Sequence, residues 1–228
     1  MGLHRIAIAL TAICGAGAFA HIGRADIIYT LQERTITAAT SANGQTLTLS
    51  APDFGPFVQS LLTSTPFNQP GGTTGTNSGG STIDCLLNPN TVRATGHLEG
   101  EGGTDDNGND VFGEGSVLID VTFQITQATP FSLHALARPG TSLLEEFELR
   151  LRDVTNNDDL FELDTTTPPQ IVDFSGNLQP GIYRLKYKVE TIITGPVQSS
   201  DFALDFTVPT PGVMSVLVCV PWLCRRKR

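Results

Sequence analysis

The sequence predicts an all-β chain: an antiparallel β-sandwich, jelly-roll-like, flanked by an N-terminal signal peptide and a C-terminal sorting or transmembrane segment. Three observations carry this. Short apolar runs alternate with period two along most of the chain. Turn residues separate them, with 23 Gly and 14 Pro in 228 residues and charged residues sparse at 16%. No stretch keeps a helical period for three turns. With both ends set aside, residues 26–208 make one domain.

The chain opens with His4 and Arg5, an apolar run over 6–13, and the small residues of Ala18-Phe19-Ala20. That order is a secretory signal peptide, with cleavage after Ala20 or Ala25. Between the two ends, eight Lys and Arg face 23 Asp and Glu, a net charge of −15. Such a surface repels phosphate backbones and excludes nucleic acid as a partner. Cys14, Cys219 and Cys224 fall in the terminal segments, leaving Cys85 alone in the domain. No disulfide framework can form there, and a buried free thiol is expected.

From Asp26 the first strand alternates Ile27, Tyr29 and Leu31 with polar neighbours, so those three face inward. Asn43-Gly44 is a hairpin turn, and Leu47 and Leu49 share one face of the strand after it. Pro52 and Pro56 exclude a central strand, leaving Phe54 and Phe57 to plug one end of the core. Residues 66–81, rich in Gly, Thr, Ser and Asn, read as a flexible surface loop. Extended segments follow over 83–87 and 91–101, and 100–115 reads as a second, acidic loop.

The clearest alternation places Val117, Ile119, Val121, Phe123 and Ile125 on one face. A strand over 131–137 follows. Phe147, Leu149 and Leu151 then alternate with Glu146, Glu148, Arg150 and Arg152, and Asn156 to Asp159 turn the chain into a hairpin with 160–163. A strand over 171–174 leads to the turn Leu178-Gln179-Pro180-Gly181. Beyond it Tyr183, Leu185, Tyr187 and Val189 face inward, while Arg184, Lys186 and Lys188 face outward toward acids on neighbouring strands, Asp205 among them if the last two strands pair. The last strand buries Phe202, Leu204, Phe206 and Val208. Eight to ten strands are expected in all.

No catalytic constellation emerges, and the domain is expected to be non-enzymatic. Asp105, Asn107 and Asn109 have the alternate spacing of an EF-hand loop, but Asp110 and Ser116 stand where Gly and Glu are required. A looser calcium site with Glu99, Glu101 or Glu114 is the remaining metal candidate; an acidic solvated turn is the plainer reading. His97, Glu99 and Glu101 share a strand face without a second nearby His. Glu162 and Asp164 have the spacing of a jelly-roll glycosidase strand, but the third acid falls at Thr167. A serine hydrolase needs a base and a nucleophile elbow. The domain offers two histidines, His97 and His134, and no elbow. His134 is read as a strand residue with an ordinary hydrogen bond.

The C-terminus runs Pro209-Thr210-Pro211-Gly212, an apolar run over 213–224, then Arg225, Arg226, Lys227 and Arg228. The run is shorter than the ~20 residues of a spanning helix and holds Pro221. Trp222 and the basic cluster suit the cytoplasmic interface. This arrangement resembles the PEP-CTERM sorting signal of Gram-negative bacteria, with Thr210 in place of the central Glu. The resemblance covers about 208–228 and implies export machinery and an exosortase-like membrane enzyme as partners, with a link to exopolysaccharide and biofilm. The expected function is an exported protein of the cell envelope or extracellular matrix, structural or adhesive. The alternative is a carbohydrate-binding module, calcium-assisted, using the loops 66–81 and 100–115.

Overall fold

The computed structural model describes residues 27–139, 143–165 and 170–209. Both candidate cleavage residues, Ala20 and Ala25, and the candidate sorting residues from Thr210 to Arg228 lie outside them, whereas Pro209 is the last residue described. Fourteen strands follow in order: β1 (Ile28–Thr40), β2 (Gln45–Ser50), β3 (Phe57–Gln69), β4 (Thr73–Asn88), β5 (Thr91–Glu101), β6 (Gly103–Thr104), β7 (Asp110–Val111), β8 (Gly113–Ile125), β9 (Thr129–Pro139), β10 (Leu143–Asp153), β11 (Asp158–Thr165), β12 (Gln170–Leu178), β13 (Gly181–Ile193) and β14 (Gln198–Thr207). No helix among the described residues is long and apolar enough to cross a membrane.

Two antiparallel six-stranded sheets face each other, in the orders β11-β10-β13-β8-β1-β2 and β12-β9-β14-β5-β4-β3. From β8 to β14 every connection except the β10–β11 hairpin crosses from one sheet to the other. With β5, those seven strands wind as an eight-stranded jelly roll. The first four strands widen it: β1 and β2 extend the β8 sheet, while β4 and β3 extend the β14 sheet at the same side.

The period-two reading holds best in the jelly roll. Val117, Ile119, Val121, Phe123 and Ile125 are all buried, as are Phe147, Leu149, Leu151, Tyr183, Leu185, Tyr187 and Val189. Phe123 stacks on Tyr183 with ring centroids 5.9 Å apart and packs against Phe206 at 5.4 Å. Aromatic pairs of this kind add about 0.5–1.5 kcal/mol beyond burial. Tyr183 Oη donates to the carbonyl of Gln179 at 2.8 Å and accepts from its N–H at 3.0 Å, which fixes the Pro-Gly turn.

The chain as far as β7 departs from expectation in three places. A β-bulge at Thr30 inserts one residue between the Tyr29–Phe123 and Leu31–Thr122 pairs. One extra residue reverses strand parity, so Leu31 turns out to solvent while Gln32, Arg34, Ile36 and Ala38 turn in. Residues 66–81 are not a flexible loop but the turn-side half of the β3–β4 hairpin, which is paired in register from Phe57–Cys85 to Gln69–Thr73. Glycines of β4 and β8 serve close sheet approach here: a Cβ on Gly79 would lie 2.2 Å from the carbonyl oxygen of Glu114, and one on Gly113 would lie 1.6 Å from that of Ser78. The space between the sheets there is filled by polar groups. Thr40 and Thr65 bond each other at 2.6 Å, and Asn77 Nδ2 donates to the carbonyl of Phe112 at 2.8 Å. The acidic loop 100–115 likewise shrinks to the tip of the β6–β7 ribbon.

Both described ends meet at one pole. The N–H of Ile27 donates to the carbonyl of Pro89 and that of Val208 to Asn90, each over 2.7–2.8 Å. The antiparallel registers put the β6–β7 ribbon and the β1–β2 and β3–β4 turns at the opposite pole.

Candidate functional site

Of the eight Lys and Arg between residues 26 and 208, five stand on the outer face of the β8 sheet: Arg150, Arg152, Arg184, Lys186 and Lys188. Across β10 and β13, Arg150 stands opposite Lys186 and Arg152 opposite Arg184, while Lys188 stands opposite Glu148. The carboxylates they bond across strands are diagonal neighbours. Arg184 Nε donates to Asp120 Oδ1 at 2.7 Å, and its Nη2 to the other oxygen, although Asp120 sits across from Lys186. Lys186 bonds Glu148, and Lys188 bonds Glu146 and Glu190. Arg150 grips Asp159 through both Nε and Nη2, at 2.7 and 2.6 Å. Asp205 takes no part, because β13 and β14 lie in different sheets; β14 pairs with β5 and β9.

These bonds hold the charges in place. Asp120's hydrogen bond pushes the Arg184 guanidinium's pKa up, and the Arg150 hydrogen bond pulls the Asp159 carboxyl below the usual carboxylate range. Burial would lower Lys188, but hydrogen bonds to Glu146 and Glu190 more than offset it, and its pKa ends raised. A groove of ≈ 440 Å³ opens on this face, lined by Arg150, Arg152, Arg184 and Lys186 together with Glu148, Leu31 and Val154. Arg152 is its least committed cation: it donates to the Asn157 side chain and stands 4.0 Å from Asp159. Chemically, this is a place for an anion that can share guanidinium donors with the resident carboxylates.

At the far pole, Asp105 organises the ribbon tip. Its Oδ1 accepts from the N–H groups of Asn107 and Asn109 at 2.9 and 2.7 Å, and its Oδ2 accepts from Asn109 Nδ2 at 3.0 Å. The Asn109 side-chain bond leads in holding the Asp105 carboxyl below its ordinary pKa. Glu114 lies on the outer side of the β8 sheet, its pKa raised by burial and by Glu190, whereas Glu99 lies over Gly80 on the outer side of the β14 sheet. The structure thus does not bring Glu99 and Glu114 to Asp105. Among the described residues no group of three His, Cys, Asp or Glu stands close enough to hold one ion.

The remaining candidates are dispersed. His97 and His134 each bond a cross-strand aspartate through Nδ1, to Asp201 at 2.8 Å and to Asp173 at 2.7 Å, on the exposed face of the β14 sheet. His97 also shares that face with Glu99 and Glu101. Glu162 and Asp164 are exposed on β11, with Glu162 3.8 Å from Arg150. Cys85 is buried as a free thiol. Burial raises its pKa, and the neighbouring Arg34 guanidinium offsets only part of that. Arg34 is the residue that sequence reading missed. It lies 1% exposed between the sheets, its Nε donating to Gln32 Oε1 at 2.9 Å, its Nη2 to the carbonyl of Asp53, and its guanidinium 5.8 Å over the Phe57 ring. Only the Thr30 bulge puts it there, and no local sequence signal announces that bulge.

No family model matches the chain, and no curated protein does. Among solved structures, it is similar to the enzymatically active domain of tailspike protein 4 of bacteriophage CBA120, at 8% identity and a TM-score of 0.27 over 66% of this chain and 19% of that one. It is also similar to a native family 35 carbohydrate-binding module from Clostridium thermocellum, at 12% identity and 0.22 over 67% and 97%. A third is the structure of infectious bursal disease virus, Gt strain, at 12% identity and 0.23 over 81% and 58%. The chain thus spans under a fifth of the tailspike chain. Scores this low carry no weight for ligand or activity.

Proposed function

We propose that this is an exported, non-enzymatic protein of the cell envelope or extracellular matrix, delivered by its C-terminal segment and serving a structural or adhesive role. The observation that carries the reading is the placement of the described ends. Ile27 and Val208 are tied to neighbouring residues of one turn, so a membrane-directed tail leaves from one pole while the β6–β7 ribbon stands at the other. A domain so tethered presents its far pole and both sheet faces outward. The tail's resemblance to PEP-CTERM signals supplies the route, with an exosortase-like enzyme as the processing partner. The outer charges, bonded mainly to one another, suit a durable surface.

The test replaces Pro209 and Pro211 with Ala and the four terminal basic residues with Gln, then follows the protein through fractionation of its host. Loss of the envelope and matrix pool is the expected result. An unchanged distribution would remove the tail from the account.

A second reading is favoured by the groove on the β8 sheet: the protein binds an acidic polysaccharide there, Arg152 and Arg184 receiving the carboxylate or sulfate groups. Co-sedimentation with acidic and neutral polysaccharides tests it, with binding to the acidic one lost in Arg152→Glu. Equal retention of both polysaccharides, or none, would set it aside.

A further inference from the structure

The two open edges of the sandwich are built differently. At one, β11 carries Asp158, Asp159, Glu162 and Asp164, and β12 beside it carries Asp173. At the other, among the described residues, β2 pairs only with β1 and β3 only with β4, and neither strand holds a single charged residue. Between residues 35 and 83 the only charged side chain is Asp53, in a domain of net charge −15. Edge strands in soluble proteins are blunted by charge or by Pro; this edge has no charge, and Pro66 near the far end of β3 is its one proline.

The same edge leaves core-side apolar groups uncovered. Leu47 and Leu49 stand across from Ala38 and Ile36, so they point to the core side, yet they are 44% and 37% exposed. On the outer side of β3, Val58 and Leu62 are 63% and 60% exposed. Two strands with free backbone groups, apolar side chains on both sides and no charge form a template for strand addition.

We infer that the β2/β3 edge is where a second copy of this chain joins, β2 to β2 and β3 to β3, continuing both sheets across a two-fold axis. The partner is chosen by electrostatics. Two domains of charge −15 repel wherever their acidic faces meet, and the uncharged edge is the approach at which that repulsion is least. An isologous contact presents this edge to itself, giving the antiparallel pairing a two-fold axis requires. The β11 edge, guarded by four carboxylates, cannot add a further strand so easily. The assembly therefore closes at two copies instead of growing into a fibre. This inference rests on the described strands alone and is independent of the route of export.

Sedimentation equilibrium of the protein recovered from its host tests it. The expected result is a two-chain mass that falls to one chain in Leu47→Lys/Leu49→Lys, while Ile171→Lys on β12 keeps two. A one-chain mass for the unsubstituted protein would overturn the inference, as would a two-chain mass that survives the lysines. If the lysine variant loses its strand signal, hydrogen exchange of the unsubstituted protein decides instead. Protection of the 46–49 amides that weakens on dilution is expected; protection independent of dilution would assign the cover to the chain's own tail and overturn the proposal.

Discussion

Arg34 carries a permanent charge into the sandwich, and no carboxylate among the described residues forms an ion pair with it. Its donors instead go to Gln32 Oε1 and the Asp53 carbonyl, while Nη1 has no partner. The guanidinium thereby ties residues 51–56 across the mouth of the sandwich, over Phe57 and Cys85. Arg34→Ala empties a large buried space and strands those acceptors, and is expected to cost about 3–5 kcal/mol in urea unfolding; a loss under about 1 kcal/mol would mean the mouth is held otherwise. At the outer face, Asp159 is lowered by its bond to Arg150. A lowered carboxyl contributes stability that is fully present above its unfolded pKa of about 3.9. That contribution is lost as pH falls through the lower folded value. Asp159→Asn is therefore expected to flatten the acid limb of the Tm-versus-pH curve below about pH 4. An unaltered limb would show that this pair carries no part of the acid response.

At the scale of elements, legibility follows the chemistry of what each strand buries. β8, β10 and β13 bury large apolar side chains at every second position, so period two announces them, and the ion pairs of Arg184, Lys186 and Lys188 follow from the opposite face. The β3–β4 hairpin buries Thr63, Thr65, Asn77 and Ser81 together with glycine backbone. Those residue types also make loops, and only the close facing sheet, absent from any local window, distinguishes the two. The cation groove was half-visible: Arg150 and Arg152 read as outward-facing, but their convergence with Arg184 depends on which strands pair. At the β6–β7 ribbon, Asp105 holds the tip through two backbone N–H groups and the Asn109 side chain. Asp105→Ala is expected to speed exchange of the 107–109 amides while changing global stability by no more than about 0.5 kcal/mol, the range for an exposed site. A larger global loss would make the ribbon part of the fold's cooperative core.

For the whole molecule, the jelly roll supplies the buried core and the first four strands supply breadth, an uncharged edge and a polar seam. That division is the one the proposed structural or adhesive role would use. In the proposed reading the terminal segments set the destination, and the shared pole of Ile27 and Val208 sets how the domain would stand there. The measurement that tests this most directly is the intact mass of the protein recovered separately from the membranes and the medium of its host. A released species beginning at His21 or Asp26 and lacking the Arg225, Arg226, Lys227 and Arg228 cluster is the expected result. A full-length species, with both ends retained and confined to the cell interior, would contradict export and processing together.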